Sequence, residues 1–261
     1  MSIFDETAPS LRSRLPGGRR LRDGHYLYWW VEIVAIVAFY MIYSAIRNAN
    51  EGGAQEAFDN ARELISLQKS LGINHEEALQ DWALHFRPLI IAMNYFYGSL
   101  HFVVTAGVGI FLFRRWSDDY PKWRNALAIS TGLALIGFIT WPLMPPRLMP
   151  ESYGFVDTLA KYPTFWSFNS GAVSKISNQF AAMPSVHCVW ALWCACVMVP
   201  RARRDWVKVL FVLYPISTVM AIVLTGNHYV LDAVGGFAVL GIGYVLARTF
   251  TRAGRGAPVA P

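Results

Sequence analysis

Six apolar runs, at residues 27–46, 89–113, 125–143, 183–199, 206–225 and 229–247, set the architecture of this 261-residue chain. Each matches or approaches the ~20 residues that carry an α-helix across ~30 Å of hydrocarbon, the fourth being the shortest. The pattern predicts an all-α fold, a polytopic membrane bundle of six transmembrane helices. Two longer connections interrupt it. Residues 54–71 in the first carry apolar Phe58, Ala61, Leu64, Ile65 and Leu67 among charges, the signature of an amphipathic helix lying on the membrane or capping the bundle. Asn74-His75-Glu76-Glu77 has the form of a cap and first turn of another outer helix. The second connection, 144–182, is rich in Pro, aromatic and small polar residues and has the length of a functional lid.

Composition agrees. Hydrophobic residues make up 54% of the chain and charged residues 15%, against about a quarter in soluble domains, and the mean hydropathy is +0.32. A net charge of +6 would suit a nucleic-acid partner if it were clustered on one face. It is instead placed between runs. Arg12, Arg14, Arg19, Arg20 and Arg22 precede the first, and Arg114, Arg115, Lys122 and Arg124 lie between the second and third. Arg201, Arg203, Arg204 and Lys208 lie between the fourth and fifth, and Arg248, Arg252 and Arg255 follow the sixth. Sixteen of the 23 basic residues thus fall in segments that share one side if there are six crossings, which predicts both termini inside. The N-terminal stretch is polar and Arg-rich and lacks a small-residue cleavage site, so no cleavable signal peptide is expected. Cys188, Cys194 and Cys196 share one run and read as packing residues, not as a disulfide framework. Glu32, inside the first run, is expected to pair or snorkel at the inner face.

Two segments carry the chemistry. In Asn227-His228-Tyr229-Val230-Leu231-Asp232, the histidine and aspartate are four residues apart and share one helical face. A carboxylate beside an imidazole fixes its tautomer and supports its positive charge. In Met183-Pro184-Ser185-Val186-His187, proline suits the opening turn of a helix, whose free N–H groups bind phosphate. Two histidines, a carboxylate and an anion cradle point to phosphoryl transfer through a histidine nucleophile. Six crossings also place Arg147, Ser185, His187, His228 and Asp232 together at the outer ends of runs, as one outward-facing site.

From about residue 94 to 236 these features resemble the type 2 phosphatidic acid phosphatase superfamily, which also includes vanadium haloperoxidases. Its Pro-Ser-x-His is matched by Pro184, Ser185 and His187, its His-x-x-x-Asp by His228 and Asp232, and its Arg near Pro by Arg147. The departures are Val186 where Gly precedes the motif histidine, Ile222 and Ala221 where Arg and Ser precede the last motif, and Thr140 where Lys precedes Arg147. Two of three usual phosphate-binding cations are therefore absent. The pattern is closer to the inositolphosphotransferase branch, which includes inositol phosphorylceramide synthases, whose Thr-x-x-His-Tyr-x-x-Asp is met by Thr225, Gly226, Asn227, His228, Tyr229 and Asp232.

The resemblance implies a metal-free, cofactor-free enzyme. His228 would attack phosphorus, Asp232 would orient it, and His187 would act as acid and then base. Arg147 would clamp phosphate oxygens through two N–H groups, with Ser185 beside it. Asn94, Tyr97, His101, Asn227 and Tyr229 are candidates to line the cavity, though packing is an equal reading for His101. Lys161 and Lys175 are reserve cations. The implied substrate is a lipid phosphate or phospholipid at the outer face of a cell membrane, that of a bacterium, with no nucleic-acid partner. The expected organisation is a cytoplasmic arm (1–26), one membrane catalytic domain (27–250) and a disordered tail (251–261). Three other readings stay open: a lipid phosphate phosphatase, a metalloenzyme using His187, His228 and Asp232 as ligands, and a transporter with a proton-coupled His–Asp pair.

Overall fold

The computed structural model describes residues 16–49, 53–162, 164 and 179–255. The chain enters through a small antiparallel hairpin, β1 (Gly18–Arg20) and β2 (Tyr26–Tyr28), with Gly18 opposite Tyr28. Helices follow: α1 (Trp29–Ala49), α2 (Ala54–Ser70), α3 (Glu76–Leu84), α4 (Arg87–Tyr95), α5 (His101–Arg115), α6 (Tyr120–Thr140), the short α7 (Thr158–Lys161), α8 (Val186–Met198), α9 (Asp205–Leu224) and α10 (Val230–Arg255). The hairpin is the departure from an all-helical reading, and α10 runs past residue 250, where the sequence pattern ends the membrane domain.

Four helical stretches are long and apolar enough to cross a membrane: Trp29–Arg47, Arg87–Arg115, Asp205–Leu224 and Val230–Thr249. The expected third and fourth crossings do not coincide with their apolar runs: α6, at 21 residues, starts and stops earlier than the run 125–143, and α8 is shorter than the run 183–199. In α6 the helix stops at Thr140, before Trp141-Pro142-Leu143. In α8 the segment Met183-Pro184-Ser185 is not helical, and thirteen residues rising 1.5 Å each give about 20 Å. Proline therefore stands one residue outside the cap instead of in the opening turn.

The helices alternate in direction. Cross-links run from Trp193 Nε1 to the Trp123 carbonyl (2.9 Å), from Trp190 Nε1 to Thr131 Oγ1 (3.1 Å), and from Ser130 Oγ to the Val239 carbonyl (3.4 Å). They set α6 antiparallel to both α8 and α10. At one end the basic segments meet acidic partners. Arg22 bonds Asp118, Arg201 pairs with Asp119 at 2.5 Å, and Glu32, expected from the sequence to pair or snorkel, is buried and pairs with Arg124 at 2.5 Å. The Arg19 guanidinium caps the Arg114 carbonyl at 2.6 Å, seating the hairpin on the turn between α5 and α6. Among the described residues the histidine segments lie at the opposite end.

Along the sides the surface is apolar: Val34, Met41, Val103 and Val245 are each 60% or more exposed, as suits a lipid-facing belt. The end that carries the histidine segments is closed by α2 and α3. Helix α2 lies where the amphipathic pattern places it, with Ala61, Leu64 and Ile65 packed on Leu143, Met149, Ala182 and Tyr229. It is a cap on the bundle, and Leu67 faces outward. The three cysteines are free; Cys188 and Cys194 are buried, and Cys196 is exposed.

Candidate active site

The site begins where α9 ends. Gly226 takes a left-handed conformation (φ 68°), closed to β-carbon-bearing residues at little strain. Its N–H reaches the Val223 carbonyl, and the Asn227 N–H reaches that of Ile222, a Schellman ending. The chain turns sharply and presents His228 before α10 starts. The Gly226 carbonyl accepts the Arg147 N–H at 2.8 Å, which fastens the proline-rich segment to this turn.

His228 is buried, and its Nδ1 lies 2.8 Å from the Ala182 carbonyl and 3.2 Å from Asp232 Oδ2. A carbonyl only accepts, so Nδ1 carries the proton and the neutral ring keeps its lone pair on Nε2. Asp232, fully buried, also accepts the Tyr229 N–H at 2.9 Å, and its own carbonyl accepts the Ser185 N–H at 2.9 Å. One residue thus orients the histidine and docks α8 against α10. Close approach at this junction depends on Gly236, where an added β-carbon would fall 2.5 Å from the Ser185 carbonyl oxygen. Ser185 caps α8, is wholly buried, and its Oγ has no hydrogen-bond partner among the described residues.

The second helical stretch is continuous from Arg87 to Arg115 but widens into a π turn at Phe96–Leu100. Such turns recur at functional sites because they rotate the following side chains. This one brings Tyr97 over His187, with ring centroids 4.2 Å apart and planes at 25°. His101, its Nδ1–H donating to the Tyr97 carbonyl at 2.9 Å, meets His187 edge-on at 4.4 Å. His187 in turn lies 5.7 Å, centroid to centroid, from His228.

A pocket of about 80 Å³ opens on His228, lined by Arg47, Tyr97, Pro145, Arg147, Gln179, Ala181, Ala182 and Asn227. At ~10–15 Å³ per water-sized group, it has room for the oxygens of one phosphate. Arg147 is held firmly: Nε donates to Asn227 Oδ1 at 3.1 Å and Nη1 to Asp157 Oδ2 at 3.1 Å. Asp157 also caps α7 through Leu159 and Ala160.

The structure brings together His187, His228, Asp232, Ser185, Arg147, Tyr97 and Asn227. It corrects two cavity-lining expectations. Asn94 is buried in a tether between α4 and α7, trading bonds with Thr158 at 2.9 and 3.0 Å. Tyr229 is buried outside the pocket, with its ring edge-on to Phe155. His101 stands behind His187 without lining the pocket. Of the reserve cations, Lys161 lies over the Tyr162 ring at 5.7 Å, away from the pocket, and Lys175 falls outside the described residues. Sequence reasoning missed Arg47 and Asp157. Asp157 shows only a helix-cap signal in Asp-Thr-Leu-Ala-Lys, and its bond to Arg147 is tertiary. No three His, Cys, Asp or Glu side chains among the described residues are grouped as metal ligands, since Asp232 Oδ2 faces Nδ1–H of His228 and a backbone N–H.

A buried, oriented histidine thus faces a small pocket that Arg47 and Arg147 also line. Residues 62–246 match the PAP2 superfamily, so the chain belongs to that superfamily of lipid phosphatases and phosphotransferases. No curated protein and no solved structure matches it.

Proposed function

We propose that the protein is an integral membrane lipid phosphotransferase that works through a phosphohistidine on His228. The observation that carries this reading is the Nδ1 of His228, shared between the Ala182 carbonyl and Asp232, which leaves Nε2 as the nucleophilic atom at the pocket. Nε2 attacks phosphorus and the bond from phosphorus to the leaving alcohol oxygen breaks. Protonated His187 gives its proton to that oxygen. Neutral His187 then takes the proton of an incoming alcohol, whose oxygen attacks phosphorus, and the N–P bond breaks to regenerate His228. Asp232 supports the positive ring that exists between the two steps. Ser185 and the first N–H groups of α8 hold non-bridging oxygens, and Arg147 neutralises them.

The absent cations and the Thr225-to-Asp232 pattern favour a lipid alcohol over water as acceptor, with a phosphoinositol-like group as the unit moved. In this reading all six helices cross the membrane, both termini lie inside, and the site faces outward. The grouping of basic segments at the end opposite the histidines supports that orientation.

The test is mass spectrometry of liposomes holding the purified protein with phosphatidylinositol or phosphatidic acid, with and without ceramide or diacylglycerol. Transfer of the head group to the added lipid alcohol is expected. Release of inorganic phosphate alone, unaffected by acceptor, would make it a phosphatase. Solute flux without any lipid product would return the transporter reading.

A further inference from the structure

Arg147 alone is a poor match for the charge that phosphoryl transfer develops. Its guanidinium lies 3.1 Å from Asp157 Oδ2, so the pair is close to neutral, and two of its three nitrogens are already bonded within the protein. A further cation at the pocket is needed for electrostatic stabilisation of a more negative transition state. The chain offers seven basic residues outside the inner segments: Arg47, Arg62, Lys69, Arg87, Arg147, Lys161 and Lys175. Two of them line the pocket at His228, and the second is Arg47.

Arg47 stands in the last turn of α1, the helix least embedded in the bundle. Its half-buried side chain turns from the lipid-facing helix inward, to the same small volume as Arg147, Tyr97 and His228. A helix C-terminus favours a cation in any case. That alone gives no reason for the side chain to reach a pocket formed by three other segments.

We infer that Arg47 is the second phosphate-binding cation of this site, taking the place of those missing at Thr140 and Ile222. Those positions are closed to the role here: Ile222 is fully buried in the ending of α9, and Thr140 Oγ1 is turned back to the Ile136 carbonyl. The inference rests on the phosphotransfer reading, since it assumes an oxyanion in the pocket. It extends that reading by making α1 part of the site. A guanidinium supplied from α1 also leaves the anion bound on two sides, between α1 and the turn after α6.

Orthovanadate binding to the purified full chain in detergent tests this, because vanadate stands in for the transferred phosphoryl group. Arg47→Ala should weaken vanadate binding at least tenfold with an unchanged melting temperature, and Arg47→Lys should lose less. Arg62→Ala, whose side chain is exposed beside Asp59, should match the wild type. Wild-type affinity in Arg47→Ala would overturn the inference while leaving the phosphotransfer reading intact. If Arg47→Ala does not fold, Arg47→Gln keeps the stem and is read in the same way. A wild-type protein that binds no vanadate would sink the phosphotransfer reading and this inference together.

Discussion

The two helices that carry the histidines start in opposite ways. At the head of α10 every N–H is taken by the protein: Tyr229 by Asp232 at 2.9 Å, Val230 by Glu76 at 2.9 Å and Leu231 by Gln68 at 3.2 Å. Glu76 and Gln68 come from α3 and α2, and Gln68 Nε2 is itself bonded to Glu76 at 2.6 Å. At the head of α8 the N–H of Ser185 is fixed by Asp232. Those of Val186, His187 and Cys188 have no acceptor among the described residues, and Ser185 Oγ is buried without one. Buried donors left unpaired are unfavourable unless something fills the place. One terminus is therefore closed to anions and built to hold a nucleophile still. The other leaves its first-turn N–H groups, the positive end of the helix, without an acceptor among the described residues. The outer helices α2 and α3 thereby acquire a role: they cap α10 from outside its own sequence.

The largest expected effect comes from breaking what the termini share. Asp232→Asn keeps the shape but removes the charge that supports the positive ring, so turnover should fall about 10⁴-fold at an unchanged melting temperature. Steady-state rates beside thermal melts decide it, and near-normal turnover would make Asp232 purely structural. Ser185→Ala probes the open end. It removes a buried, unpartnered hydroxyl, so stability should hold or rise slightly while vanadate binding drops about tenfold or more. A lowered melting temperature with normal vanadate affinity would mean that Ser185 only caps α8. Glu76→Ala probes the closed end. Orphaning the Val230 N–H and Gln68 should destabilise by about 1–3 kcal/mol, with turnover at low temperature reduced tenfold or less. An equal loss of vanadate binding in this variant would erase the contrast between the termini.

Much of this was legible because it is local. The spacing of four points to the contact of His228 with Asp232 at 3.2 Å, but the shared helical face does not form: α10 starts at Val230, and His228 reaches Asp232 from the turn before it. The amphipathic pattern of α2 is likewise periodic. What escaped is tertiary. The π turn at Phe96–Leu100 interrupts an unbroken apolar run and is a feature of the hydrogen-bond ladder, not of composition. Glu76 reads as a first-turn acid of an outer helix, and nothing in that pattern shows that it is buried against α10. Arg47, just past the first apolar run, carries no motif, and only the packing of α1 near 145–147 and 179–182 makes it part of a site. Tyr229 and Asn94 erred in the other direction, since adjacency in sequence says nothing of which way a side chain faces.

The central claim is that His228 carries the phosphorus. The direct measurement is to quench the purified protein during turnover of a radiolabelled phospholipid donor and test for an acid-labile, alkali-stable phosphoprotein. The account predicts label on His228 in the wild type and none in His228→Ala. Undiminished label in His228→Ala would contradict it.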